Sequence, residues 1–130
     1  MKSPKGRVLC TEDDPDTRDL IIAVLEGAGY DVCCTDSSEE TVKLARTRKF
    51  NLYLMDNWLP DIQGPKLTAT IREFDSTTPI LFYSAAAYES DKESARSAGA
   101  QAYLVKPVDN QTLVQEVERL IRESNSGGVN

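Results

Sequence analysis

The sequence predicts an α/β fold: a doubly wound, five-stranded parallel sheet with helices on both faces. Three observations carry that prediction. Short apolar runs alternate five times with stretches of helical periodicity, the order expected of strand–helix repeats. The central run, Leu52-Tyr53-Leu54-Met55, is apolar or aromatic at every position, as in a strand buried on both faces. A length of 130 residues with 40% hydrophobic residues suits one domain around one real core.

The elements follow in order. Arg7 to Thr11 is a short apolar run that ends in Glu12-Asp13-Asp14. Asp14 is a natural N-cap, and Pro15 stands where a helix tolerates proline. The helix that follows carries Leu20, Ile21, Val24, Leu25 and Ala28 at helical spacing and stops between Gly27 and Gly29. Tyr30 to Thr35 reads as the second strand. Ser37-Ser38-Glu39-Glu40 fits a capping box for a second helix running to about Lys49. The central strand comes third and ends at Asp56, with Trp58 and Pro60 in the loop beyond. Gly64-Pro65 starts a helix with Leu67 and Ile71 inward.

Pro79 opens a fourth strand, Ile80 to Tyr83, followed by Ser84. The helix from about Glu89 to Ala98 has only Ala95 and Ala98 to bury, which predicts weak anchoring, and Gly99 ends it. Ala102 to Val105 is the fifth strand and runs into Lys106-Pro107. Asp109 caps a last helix with Leu113, Val117, Leu120 and Ile121 inward. Residues 1–123 are thus read as one domain, and 124–130, polar and glycine-containing, as a flexible tail.

Composition excludes several classes. The formal net charge of -6 argues against nucleic-acid binding through a basic face. No apolar run approaches the ~20 residues that span a bilayer, so a cytoplasmic protein without membrane contact is expected. The chain has no histidine and three cysteines without C-x-x-C spacing, which excludes a Cys/His zinc site and a histidine base. Cys10, Cys33 and Cys34 read as small residues of buried strands, with a redox role for adjacent Cys33 and Cys34 as the alternative.

In the flavodoxin-like strand order 2-1-3-4-5, the first and third strands are neighbours at the switch point. Glu12, Asp13 and Asp56 then converge at their carboxyl ends. Two carboxylates ~4 Å apart repel by about 4 kcal/mol at an effective dielectric near 20, so a protonation or a cation must relieve them. With oxygen ligands alone, Mg²⁺ is the natural cation. The Ser84 hydroxyl and Lys106 ammonium complete a site for a phosphoryl group, with a carboxylate able to serve as its own nucleophile.

At these residues the chain resembles the receiver domains of two-component response regulators, over about residues 6 to 123. The matching pieces are Glu12-Asp13-Asp14-Pro15, Met55-Asp56 with Pro60-Asp61 and Gly64, Tyr83-Ser84-Ala85, and Tyr103-Leu104-Val105-Lys106-Pro107. The resemblance implies that Asp56 is the phosphoacceptor. It implies that Asp13 ligates Mg²⁺ directly, Glu12 acts mostly through water, and the Trp58 backbone carbonyl completes the set. Ser84 and Lys106 would each bond a phosphoryl oxygen, and Tyr103 would be the aromatic that turns inward on switching. A cis Lys106-Pro107 bond is expected.

The partners implied are a sensor histidine kinase or phosphotransfer protein, and a downstream effector met through the fourth helix, fifth strand and fifth helix. Dimerisation on phosphorylation is open. The domain would be a signalling phosphoacceptor that assists its own phosphorylation and dephosphorylation rather than an enzyme. Two rivals remain: a Mg²⁺-dependent phosphohydrolase with an Asp nucleophile, and a receiver-like binding module that is never phosphorylated. A flavodoxin-like flavin carrier is disfavoured, because Glu12-Asp13-Asp14 would repel phosphate after the first strand.

Overall fold

The computed structural model describes residues 3–127. Five strands form one parallel sheet: β1 (Arg7–Thr11), β2 (Asp31–Thr35), β3 (Leu52–Met55), β4 (Ile80–Ser84) and β5 (Ala102–Val105). Their order is β2-β1-β3-β4-β5, as predicted. Five helices alternate with them: α1 (Pro15–Gly27), α2 (Ser38–Thr47), α3 (Gly64–Arg72), α4 (Glu89–Ala98) and α5 (Asn110–Gly127). Strand alternation divides the core into two layers. Val8, Cys10, Leu52, Leu54, Leu81 and Tyr83 face α1 and α5, whereas Leu9, Tyr53, Met55, Ile80 and Phe82 face α2, α3 and α4. No helix among the described residues is long and apolar enough to cross a membrane.

The caps read from sequence are present. The Thr17 amide donates to Asp14 Oδ2 at 3.0 Å, and Thr112 donates to Asp109 Oδ1 at 2.7 Å. Asp14 is therefore occupied as a cap. The capping box at α2 is only half formed. Ser37 Oγ accepts from the Glu40 amide, but the Ser37 amide donates to Thr35 Oγ1 rather than to Glu40.

Two further expectations are corrected. Leu20 sits at the edge of the apolar stripe of α1 and is 47% exposed, because the inner face is centred on Ile21 and Leu25. The last helix does not stop at 123: α5 continues to Gly127, so 124–127 are helical. Polar residues can extend a helix whose inner face is already anchored by Leu113, Val117, Leu120 and Ile121. Residues 128–130 of the expected tail lie outside the described residues.

Beneath the sheet, on the side away from the strand ends that carry the acids, Asp75 fastens α3 to β3 and β4. Tyr53 Oη donates to its Oδ2 at 2.7 Å, and the Thr77 and Thr78 amides donate to Oδ1. Burial alone would raise the Asp75 pKa, but these donors outweigh it and lower it to about 2. A lowered carboxylate stabilises the fold above its unfolded value near pH 4, and this is lost as pH falls through about 2. Asp75→Asn is expected to cost about 1–2 kcal/mol at pH 7, after allowing for solvent screening. Urea unfolding at pH 7 and pH 2.5 should show the gap between variant and parent shrinking at the lower pH.

Candidate functional site

The site is built where β1 and β3 end side by side, in register from Val8↔Leu52 to Thr11↔Met55. One residue beyond the paired segment, β1 delivers Glu12 and β3 delivers Asp56. The Asp56 amide donates to the Thr11 carbonyl at 3.1 Å, which fixes the two acids relative to one another. Ligand oxygens of Glu12, Asp13 and Asp56 all lie within 4.8 Å of each other. Glu12 and Asp56 are buried, whereas Asp13 is exposed.

Lys106 follows β5 and enters from the far side, its amide donating to the Ser84 carbonyl at 2.9 Å. Its Nζ lies 2.6 Å from Glu12 Oε1 and 3.6 Å from Asp56 Oδ2, and 5.5 Å over the Tyr83 ring. Glu12 Oε2 accepts from the Asp14 amide. Burial raises the Glu12 pKa most; the Lys106 hydrogen bond opposes this and the Asp56 charge adds to it. For Lys106, burial works against the ammonium, yet the bond to Glu12 and the Asp56 charge outweigh it and raise the pKa.

Ser84 ends β4 and is fully buried. Its Oγ accepts from the Ala86 amide at 3.2 Å. Tyr103 stacks on Phe82 with ring centroids 5.5 Å apart and donates its hydroxyl to the Ala86 carbonyl at 2.7 Å. Its ring is therefore turned toward the β4–α4 loop in this structure. Trp58 lies in the loop after Asp56, its main chain bridged to Gln63 and its indole 62% exposed. The Lys106-Pro107 bond is cis, as expected.

Two contributors, Asn57 and Arg18, were not visible in the sequence, and Asp61 was visible only as part of the matching motif, without its partner. Asn57 is buried and donates from Nδ2 to Tyr103 Oη at 3.1 Å, joining the residue after Asp56 to the aromatic of β5. Arg18 Nη1 donates to the carbonyls of Glu12 and Asp13, which anchors the acid loop to α1. Asp61 accepts from the Ser38 amide and hydroxyl, tying the loop after β3 to the start of α2. An amide following an acid, or a basic residue one turn into α1, carries no signal by itself. Each acquires its partner only through the sheet order.

This fold and cluster of acids define a signalling class. The family model for the response regulator receiver domain matches residues 8–118, and the chain belongs to that family. It is 34% identical to a probable transcriptional regulatory protein of Picosynechococcus, over 92% of this chain and 51% of that protein. It is 32% identical to the cell cycle transcriptional regulator CtrA of Caulobacter vibrioides, over 91% and 51% respectively. The chain thus spans about half the length of these curated relatives. Among solved structures, the CheY-like response regulator receiver domain protein of Methanospirillum hungatei superimposes with a TM-score of 0.89 at 26% identity, covering 93% of this chain and 97% of that one. The receiver domain of a Pseudomonas aeruginosa sensor histidine kinase, solved with magnesium in its active-site cleft, gives 0.84 at 30% identity, covering 90% and 98%.

Proposed function

We propose that the domain accepts a phosphoryl group on Asp56 from the phosphohistidine of a sensor kinase or phosphotransfer protein, and passes the signal to an effector protein. The observation that carries this reading is the convergence of Glu12, Asp13 and Asp56 within 4.8 Å beside the single ammonium of Lys106. When all three acids are ionised, two negative charges remain beyond what Lys106 neutralises. One divalent cation has that charge, and an all-oxygen donor set suits Mg²⁺. Asp13, Asp56 and the Trp58 carbonyl would hold it directly. Both Glu12 oxygens already have partners, which suits contact through water. When bound, Mg²⁺ supplies neutralisation of charge on the transferring phosphoryl oxygens.

An Asp56 carboxylate oxygen attacks phosphorus, the donor's P–N bond breaks, and the departing imidazole keeps the electron pair and takes up a proton. Lys106, held by Glu12 within reach of Asp56, pairs with one phosphoryl oxygen. Ser84 Oγ donates to another. In doing so it turns from the Ala86 amide, which loses its acceptor, and the loop that Tyr103 grips through the Ala86 carbonyl is free to shift. Helix α4 follows readily because Ala95 is its only buried residue. A bias of ~1–3 kcal/mol is enough to repopulate the α4–β5–α5 face. Such a domain would work in the cytoplasm, alone or in a longer polypeptide, and phosphorylation could drive it to dimerise.

Intact mass after incubation with acetyl phosphate tests the reading. One phosphoryl group should be gained with Mg²⁺, and none without Mg²⁺ or in Asp56→Asn. No gain together with no quenching of Trp58 by Mg²⁺ would make the chain a receiver-like binding module. Multiple turnover of a phosphomonoester would make it a phosphohydrolase. Trp58, exposed and two residues after the acceptor, is expected to hinder attacking water. Trp58→Ala should then shorten the phosphoryl lifetime by on the order of tenfold, ~1.4 kcal/mol of barrier. An unchanged decay rate would remove Trp58 from that role.

A further inference from the structure

The three cysteines are not used by the phosphoryl chemistry, and two of them are placed together. Cys10 on β1 and Cys34 on β2 are direct cross-strand partners, flanked by Leu9↔Cys33 and Thr11↔Thr35. Both belong to the layer under α1 and α5, whereas Cys33 points to the opposite layer. Strand alternation thus separates the adjacent pair that the sequence suggests and couples Cys34 to a residue 24 positions earlier. All three are free thiols, Cys10 buried and Cys34 half-buried. Cys34 is the more accessible of the two.

Neighbouring strands lie ~4.7–4.9 Å apart, inside the ~4.4–6.8 Å range of Cα separations that a disulfide spans. The Cβ atoms of a disulfide sit closer, at ~3.5–4.5 Å, so the two strands must draw together slightly. They can, because β2 is the edge strand and pairs only with β1. That movement would be felt one rung away. The Glu12 amide donates to the Thr35 carbonyl at 3.0 Å, and Thr35 Oγ1 accepts from the Ser37 amide. The pair therefore lies under the acid cluster and shares its backbone ladder.

We propose that Cys10 and Cys34 form a modification site, oxidised reversibly to a disulfide by a hydroperoxide, and that closing it weakens cation binding at Glu12. The Cys34 thiolate attacks the peroxide oxygen and breaks the O–O bond to give a sulfenic acid, and the departing alkoxide or hydroxide takes up the proton that the Cys34 thiol lost to solvent and leaves as an alcohol or water. The Cys10 sulfur then displaces the sulfenic hydroxyl, which leaves as water with the Cys10 proton. Two thiols lose two electrons and the peroxide gains them. A bond that requires strand movement is readily reduced, which makes the site reversible. The effect on the cation rests on the Mg²⁺ reading given above, whereas the disulfide does not.

The test treats the full chain with hydrogen peroxide, alkylates it under denaturing conditions and maps its peptides without reduction. A Cys10–Cys34 linkage, a mass loss of two hydrogens and reversal by dithiothreitol are expected. The linkage should survive Cys33→Ser and vanish in Cys34→Ser and Cys10→Ala. Alkylated Cys10 alongside a sulfinic Cys34, a Cys33–Cys34 bond, or only intermolecular bonds would overturn the site. Mg²⁺ titration by Trp58 fluorescence should show the midpoint of the oxidised protein raised about fivefold or more and restored on reduction. Coincident midpoints would overturn the coupling. A reduced protein indifferent to Mg²⁺ would overturn the cation reading and the coupling with it, and leave the disulfide to its peptide map.

Discussion

Lys106→Met is expected to lower the rate of phosphoryl uptake by about 10²–10³-fold, the usual loss for one donor aimed at developing charge. It should also change how stability depends on pH. Lys106 is the partner of Glu12, a carboxylate only 1% exposed, and of Asp56. Removing one partner of a buried pair costs ~3–5 kcal/mol when the other charge is stranded. Glu12 can escape by taking a proton, so about 2 kcal/mol at neutral pH is the expected loss. Its pKa is already raised in the parent by burial and by Asp56, and without Lys106 it must rise further. A raised carboxylate stabilises below its unfolded pKa, and that contribution disappears as pH climbs through the folded value. The variant should therefore lose more stability at pH 8 than at pH 5, read by urea unfolding at both. An equal loss at the two values would assign the cost to packing rather than to Glu12. Lys106→Arg, which keeps the charge, should recover the stability and only part of the rate, because a planar fork does not replace a compact ammonium.

Gly64→Ala is expected to destabilise the fold by about 2–3 kcal/mol, at the upper end of overpacking costs. A Cβ there would stand 2.6 Å from Phe82 Cε2, 2.9 Å from the Asp56 carbonyl oxygen and 3.0 Å from Asn57 Cα. The Phe82 ring cannot yield easily, since Tyr103 stacks on it and it is fully buried. Relief must come from moving the first turn of α3 or the backbone of Asp56 and Asn57, which the Gly64 amide grips through the Asn57 carbonyl at 2.8 Å. Phosphoryl uptake should fall together with stability. Gly27→Ala is the control: nothing lies within 4 Å of its added Cβ, and the position ends α1. It should be neutral or stabilising by up to ~1 kcal/mol. Thermal midpoints and acetyl phosphate labelling of both variants, side by side, separate crowding at Gly64 from a general intolerance of alanine. If Gly64→Ala labels and melts like the parent, the close approach has no energetic weight.

The sequence by itself determined what depends on local pattern. Short apolar runs alternating with stretches of 3.6-residue periodicity predict the strands and helices, and Asp14, Ser37 and Asp109 predict helix starts because a cap needs only its own chain neighbours. Acids at the ends of β1 and β3 could be brought together on paper because parallel topology places those ends at one switch point. What only the tertiary structure decided are pairings between residues far apart in the chain. The bond from Lys106 to Glu12 spans 94 positions, and that from Asn57 to Tyr103 spans 46. The crowding at Gly64 is also of this kind, since a glycine before proline reads as an ordinary helix start until Phe82 is packed against it. Leu20 obeys the helical period yet faces outward, because the period defines a stripe and the sheet decides where that stripe is centred. The cysteines show the same limit most plainly. Adjacency suggests Cys33 with Cys34, but successive strand residues point to opposite faces, and it is the register of β1 against β2 that gives Cys34 its neighbour.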